Sequence, residues 1–223
     1  MLAIIQARMT SQRLPGKVLQ PMAGKPMLQW VFDRVSQSVN LKKVMIATSD
    51  ANSDAPICEY CRRHNIPYYR GPLEDVAGRF LECAKREAAD AFVRISGDSP
   101  LIDPSLVDQA VDLQMSTSCD LATNVQVRSY PKGQSVEVIQ TEALQRAHQK
   151  MRDAEHQEHV TGYFYAYPEH FRIENFSCAD SMCDIQLSVD TPEDFQSAET
   201  ILKLTGMSVD WQRAAALKLE LMK

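Results

Sequence analysis

Nowhere in its 223 residues does the chain approach the roughly 20 consecutive apolar residues that span a bilayer, and its start lacks a charged leader followed by a long apolar core. A cytoplasmic protein without a membrane partner is expected. Positive charge is not in excess either: Lys+Arg number 24 against 29 Asp+Glu, a formal net charge of −5, which argues against nucleic acid as a partner. Any anion site must therefore be local. A second cysteine pair is missing too. Of the 6 cysteines, only Cys58 and Cys61 stand at C-x-x-C spacing, with His64 following, and such spacing on a helix simply shares one face. Reduced, packed thiols are expected. No repeat, low-complexity tract or linker interrupts the chain, and its length suits a single domain, 1–223, with one core.

What the chain does have begins at Leu2. Ala3, Ile4 and Ile5 show no polar alternation, which suits a strand buried on both faces in the middle of a parallel sheet. The loop that follows holds small and polar residues (Ala7, Thr10, Ser11), three cations (Arg8, Arg13, Lys17) and the bend-forming Leu14-Pro15-Gly16. Open α/β sheets bind ligands at the carboxyl ends of their strands, so these cations point to a polyanion such as a triphosphate. A basic surface loop is the plain alternative. Helical spacing over Met27 to Val39, Asp54 to His64, Asp75 to Ala88 and Pro104 to Met115 alternates with apolar strands at Lys43 to Thr48, Ile66 to Tyr69, Ala91 to Ile95 and Leu121 to Thr123. This order predicts an α/β fold: three layers, α/β/α, around a mostly parallel sheet. Beyond Tyr130, strands are expected at Ser135 to Ile139, Phe171 to Phe176 and Ile185 to Val189. Helices are expected at Thr141 to Met151, Glu155 to Tyr165, Pro192 to Leu204 and Val209 to Leu221.

Two acidic stretches could carry chemistry. In Val93 to Asp103 (VRISGDSPLID) a strand runs into Gly97-Asp98, where a carboxylate can hold Mg2+ beside phosphates; Asp103 before Pro104 reads as a helix cap. In Leu187 to Phe195 (LSVDTPEDF) an apolar strand ends in Asp190. That acid could merely cap the next helix, or complete a Mg2+ site with Asp98.

The spacing Ala7-Arg8, Ser11, Arg13-Leu14-Pro15, Lys17 resembles the opening motif of cytidylyltransferases that activate acidic sugars: the Kdo and acylneuraminate synthetases and the related spore coat polysaccharide type. Gly97-Asp98 to Ile102 and Val189-Asp190-Thr191-Pro192-Glu193-Asp194 resemble the same family. So do Thr48-Ser49-Asp50, Asp75-Val76, Arg79-Phe80 and Glu158-His159-Val160-Thr161, so that the resemblance covers nearly the whole chain. It implies a nucleotide-sugar-transferase-like fold with CTP, an acidic sugar and Mg2+ as ligands, and a homodimer in which an insertion at about 124–176 shapes the sugar pocket. Arg8, Lys17 and Asp98 would be catalytic. Ala7, Arg8, Ser11, Arg13, Lys17, Arg79, Arg94 and Asp98 would bind nucleotide, Gln134, Glu137, His159 and Thr161 the sugar, and Asp98 and Asp190 the metal. Arg94 points toward the spore coat branch. Relatives of that branch commonly carry an acid two residues before the glutamate that stands here as Glu137; this chain has Ser135.

The resulting expectation is transfer of CMP from CTP to a sugar hydroxyl, with release of pyrophosphate for glycan biosynthesis. A glycosyltransferase that consumes a nucleotide sugar is the first alternative, although no evident Asp-x-Asp motif supports it. A nucleotide-binding homologue without turnover, suggested by Ser135, is the second.

Overall fold

The computed structural model describes residues 1–222. Strand β1 (Leu2–Gln6) is followed by the cationic loop, a turn of 3-10 helix at Lys17–Leu19, and a small hairpin of β2 (Pro21–Met22) and β3 (Lys25–Pro26). The chain continues through α1 (Met27–Val35), β4 (Lys43–Ser49), α2 (Ala55–Arg63), β5 (Tyr68–Gly71), α3 (Val76–Arg86), β6 (Ala91–Ser96) and α4 (Pro104–Thr117). Then come β7 (Leu121–Thr123), β8 (Glu137–Gln140), α5 (Thr141–His148), α6 (Ala154–Glu158), α7 (Gly162–Ala166), β9 (Ile173–Asn175), α8 (Pro192–Thr205) and α9 (Trp211–Leu221).

Seven strands form one sheet in the order β5-β4-β1-β6-β8-β7-β9. Strand β1 runs parallel to both neighbours, with Ile4 opposite Met45 on one side and Arg94 on the other. This is the position its unbroken apolar run demanded. Strand β8 is antiparallel to β6 and β7, and β9 is parallel to β7. Strands β8 and β9, which fall inside the 124–176 stretch, thus extend the main sheet. On one face Ala3, Ile5, Ile46 and Val93 pack against α1, α2, α4, α8 and α9; on the other Leu2, Ile4, Met45 and Phe92 pack against α3, α5 and α7. Among the described residues no helix is long and apolar enough to cross a membrane.

Several expected elements differ. The β2–β3 hairpin has strands too short to carry a periodic signal. Strand β5 starts two residues later than the apolar Ile66 suggested, and β8 covers Glu137–Gln140. The helix expected at Glu155 to Tyr165 is two short helices separated at His159 to Thr161. The strand expected at Ile185 to Val189 does not form. Only an isolated bridge links Lys132 to Gln186, because the partner chain turns away at once through Gly133. At that turn, φ is +93° and a Cβ would lie 2.4 Å from the backbone nitrogen of Ser188, so glycine lets the two backbones touch. The segment instead reaches the sheet edge by one bond, from the Val189 N–H to the Asp98 carbonyl at 2.8 Å.

Candidate active site

The cationic loop leaves β1 at its carboxyl end and is anchored twice. Ala7 still donates its N–H to the Ala47 carbonyl at 3.1 Å, and Gly16 closes the loop by donating to the Met9 carbonyl at 2.9 Å. Between these bonds, the Met9 N–H is taken by the carboxylate of Asp54 at 2.7 Å, which also accepts from the Ser49 hydroxyl at 2.5 Å and the Ser49 N–H at 3.3 Å. Asp54 is fully buried and its side chain does not cap α2, although an aspartate before Ala55-Pro56 looks like a cap in the sequence. It ties the end of β4 to the start of the cationic loop. Asp54→Ala leaves three donors unmatched, the two of Ser49 buried and that of Met9 partly so, and urea unfolding should show a loss of about 2–4 kcal/mol. A loss below 1 kcal/mol would mean that the loop holds its place without Asp54. Ser11, an expected nucleotide ligand, accepts the Leu14 N–H at 3.4 Å within the loop.

Lys17 is the centre of the charge arrangement. It is 7% exposed, donates to the Val189 carbonyl at 2.5 Å, and its ammonium lies 3.6 Å from Asp98 and 3.4 Å from Asp190. Arg13 reaches the same oxygen of Asp190 at 3.0 Å. The two acids, far apart in sequence, therefore meet at one point beside the loop. Asp98 is held there because Gly97 presses on β1: its N–H bonds the Gln6 carbonyl at 2.8 Å, and a Cβ would lie 2.6 Å from that oxygen. Asp190 does not cap α8. Thr191 does, in a capping box with Asp194, which frees the Asp190 carboxylate for the site. Asp103 caps α4 as expected, and also accepts the Trp211 N–H at 2.9 Å, tying the start of α9 to the cap.

Arg8 points to the 124–176 stretch, where its guanidinium meets both oxygens of Glu158 at 2.5 and 3.4 Å. Arg79 is fully buried; one of its nitrogens donates to the Pro72 carbonyl at 2.7 Å, while Nε and Nη2 have no partner. Burial, and then the charge of Arg8, pushes its pKa down. Arg94 donates to Glu137 at 2.5 Å, and the other oxygen of Glu137 accepts the Tyr165 hydroxyl at 2.5 Å. That hydroxyl also meets Thr123 at 2.9 Å, and burial pushes its pKa up.

Of the expected sugar ligands, His159 is exposed and Thr161 buried at the break between α6 and α7. Glu137 is buried and spent on Arg94 and Tyr165. Gln134 is a correction: it is fully buried, its amide oxygen accepts the Asp103 N–H at 2.9 Å and its amide nitrogen donates to the Leu101 carbonyl at 2.7 Å. It braces the turn after Asp98 and offers nothing to a ligand. Asp54 and Tyr165 escaped the sequence, and Glu158 stood only as part of a motif with no partner assigned, because their contacts to Met9, Glu137 and Arg8 span many residues. Cys58 and Cys61 are free, buried thiols on the inner face of α2, and burial pushes Cys61 up to about 12.

Comparison with known proteins places this geometry in context. A family model described as cytidylyltransferase matches residues 2–218. The chain is 31% identical over 216 residues to the spore coat polysaccharide biosynthesis protein SpsF of Bacillus subtilis, covering 94% of this chain and 89% of that protein. It is 36% identical over 109 residues to the 3-deoxy-manno-octulosonate cytidylyltransferase of Geobacter sulfurreducens, covering 49% of this chain and 43% of that enzyme. The solved structure of a cytidylyltransferase from Leptospira borgpetersenii superposes with a TM-score of 0.89 at 26% identity, covering 99% of this chain and 93% of that one.

Proposed function

The chain belongs to the cytidylyltransferase family, and from that premise we propose that it is a Mg2+-dependent enzyme that transfers CMP from CTP to a hydroxyl of an acidic, ulosonic sugar. The hydroxyl oxygen attacks the α-phosphorus, the bond to the outer two phosphates breaks, pyrophosphate leaves, and the hydroxyl proton is lost. The observation that carries the reading is the convergence of Lys17, Asp98 and Asp190 beside a loop that also supplies Arg8 and Arg13. An acidic acceptor is supported by the Geobacter relative, whose name specifies 3-deoxy-manno-octulosonate.

Phosphoryl chemistry asks mainly for positioning and charge neutralisation. Arg8 has the planar fork that takes two phosphate oxygens at once, and its present partner, Glu158, already demonstrates bidentate geometry. Lys17 and Arg13 add charge from the same loop. A divalent ion fits the donor set, because two carboxylates already face a single cationic point, the Lys17 ammonium, and hard cations are commonly held by one or two carboxylates with phosphate and water. Asp98 and Asp190 would hold Mg2+, which supplies Lewis-acid neutralisation of phosphate charge when bound. The base would be read by backbone around Ala7 and by the Asp75 to Arg79 segment. The same reading includes a homodimer, and light scattering that finds a monomer at working concentration would overturn that part of it.

Nucleotide choice is the direct test. CTP with Mg2+ at about 100 times its dissociation constant should add about 2.7 kcal/mol of stability and raise the melting temperature by about 5–10 °C. ATP, GTP and UTP at equal concentration should raise it less. Equal shifts for all four nucleotides would remove the cytidine assignment.

A further inference from the structure

Arg128 stands at the edge of the candidate site with a neutral partner. Its Nη1 donates to the Ser135 hydroxyl at 3.1 Å, the one hydrogen bond of its side chain among the described residues, and no acid pairs with it there. Ser135 lies two residues before Glu137 in a chain still bonded to its neighbour, the Asn124 side chain accepting the Val136 N–H at 2.9 Å. Since β8 runs antiparallel to β6 with Glu137 opposite Arg94, Ser135 lies beyond that pair on the side of Ser96 and Asp98. The turn that leads into it is stacked on the segment ending in Asp190, with Leu187 donating to the Lys132 carbonyl at 2.8 Å. Arg128 therefore shares the sheet edge of Asp98 and Asp190.

The charge balance of this corner is unusual. Arg94 and Arg128 are accompanied by one carboxylate, Glu137, whose two oxygens are taken by Arg94 and Tyr165. Arg94 also carries a buried Nε with no partner. The partners of the two arginines, Ser135 and Glu137, stand two residues apart on one chain; an uncompensated guanidinium next along that chain from a partly satisfied one favours an anion, and a planar carboxylate matches the fork of an arginine. We propose that Arg128 recognises the carboxylate of the acceptor sugar, and that Ser135 leaves it free to do so because a hydroxyl, unlike an acid at the same position, does not neutralise it. This inference rests on the acidic-acceptor reading above and assigns that reading's specificity to named groups. Arg128 acts by binding the acceptor, so its loss should appear in KM for the sugar and not in KM for CTP.

The experiment is steady-state pyrophosphate release by the wild type, Arg128→Gln, Arg128→Lys and Ser135→Asp. The acceptors are 3-deoxy-manno-octulosonate, N-acetylneuraminate and the carboxamide of whichever acid turns over. Losing a charge-assisted contact should raise the acceptor KM about ten- to a hundredfold in Arg128→Gln. Ser135→Asp should do the same by pairing with Arg128, Arg128→Lys should fall between, and KM for CTP should stay within about threefold. Arg128→Gln should also lose the wild type's preference for the acid over its carboxamide. Melting temperatures within a few degrees of the wild type establish that the variants are folded. Turnover of an acid by the wild type with its KM unchanged in Arg128→Gln and Ser135→Asp overturns the assignment of Arg128 and leaves the enzyme reading standing. A wild type that binds CTP but turns over none of the acids overturns both.

Discussion

Lys17→Met should lower kcat/KM for pyrophosphate release about a thousandfold, a loss of about 4 kcal/mol of transition-state stabilisation. Methionine keeps the buried hydrocarbon of the side chain and removes only its charge and its donors. In the folded protein that ammonium is the shared partner of Asp98, Asp190 and the Val189 carbonyl. Its removal leaves a carbonyl without a donor and two carboxylates without their common cation, so the melting temperature should also fall, by about 4–8 °C for a loss near 2 kcal/mol. The two effects separate cleanly: the stability loss concerns Val189 and the acids, the rate loss concerns phosphate. A variant that melts early yet keeps turnover within tenfold would make Lys17 a strut and remove it from the chemistry.

Asp98→Asn and Asp190→Asn should each abolish most Mg2+-dependent turnover, again by about a thousandfold or more. The double variant should fall no more than a few-fold below the worse single one, because residues that act as a unit are not additive. Asparagine keeps size and removes charge; Asp190 is partly exposed and pairs with the exposed Arg13 and the buried Lys17, so stability should fall by about 1–2 kcal/mol, far less than the loss of rate implies. Helix capping offers no rival explanation for Asp190, since Thr191 and Asp194 form the cap of α8. Asp103→Asn is the control with the opposite profile. It can still cap α4, but it turns an amide toward the Trp211 N–H that the second carboxylate oxygen now accepts. Stability should drop by about 1–3 kcal/mol while turnover per folded molecule stays near normal. Near-normal turnover by Asp98→Asn would end the metal-site proposal.

How far the sequence could be read depended on the range of the interaction. Strand β1 and its loop were legible because an unbroken apolar run and a cluster of cations are both local signals. Asp98 was legible for the same reason, since it follows a strand directly. Asp190 was assigned to the same point by the wrong route. Its apolar approach reads as a strand, yet backbone bonds to the carbonyls of Lys132 and Asp98 do the placing, and no local pattern encodes them. Gln134 misled because an amide in a motif looks available until its two partners, Asp103 and Leu101, are seen. Asp54 was hidden by an ambiguity of chemistry. A carboxylate that can cap the helix after it can equally reach back to Met9 and Ser49, and the choice depends on a loop 45 residues away.

The position of β1 within the sheet has a bearing on how the molecule comes apart. Two strands, β4 and β5, lie to one side of it and four, β6, β8, β7 and β9, to the other. Opening that starts at either rim must peel away β5 and then β4, or the four strands of the wider flank, before it touches β1. Local opening is least costly at exposed margins and most costly where every backbone group is paired on both sides. The cationic loop is therefore carried by the strand that fraying reaches last, so the chain can breathe at both rims of the sheet while the root of that loop keeps its place.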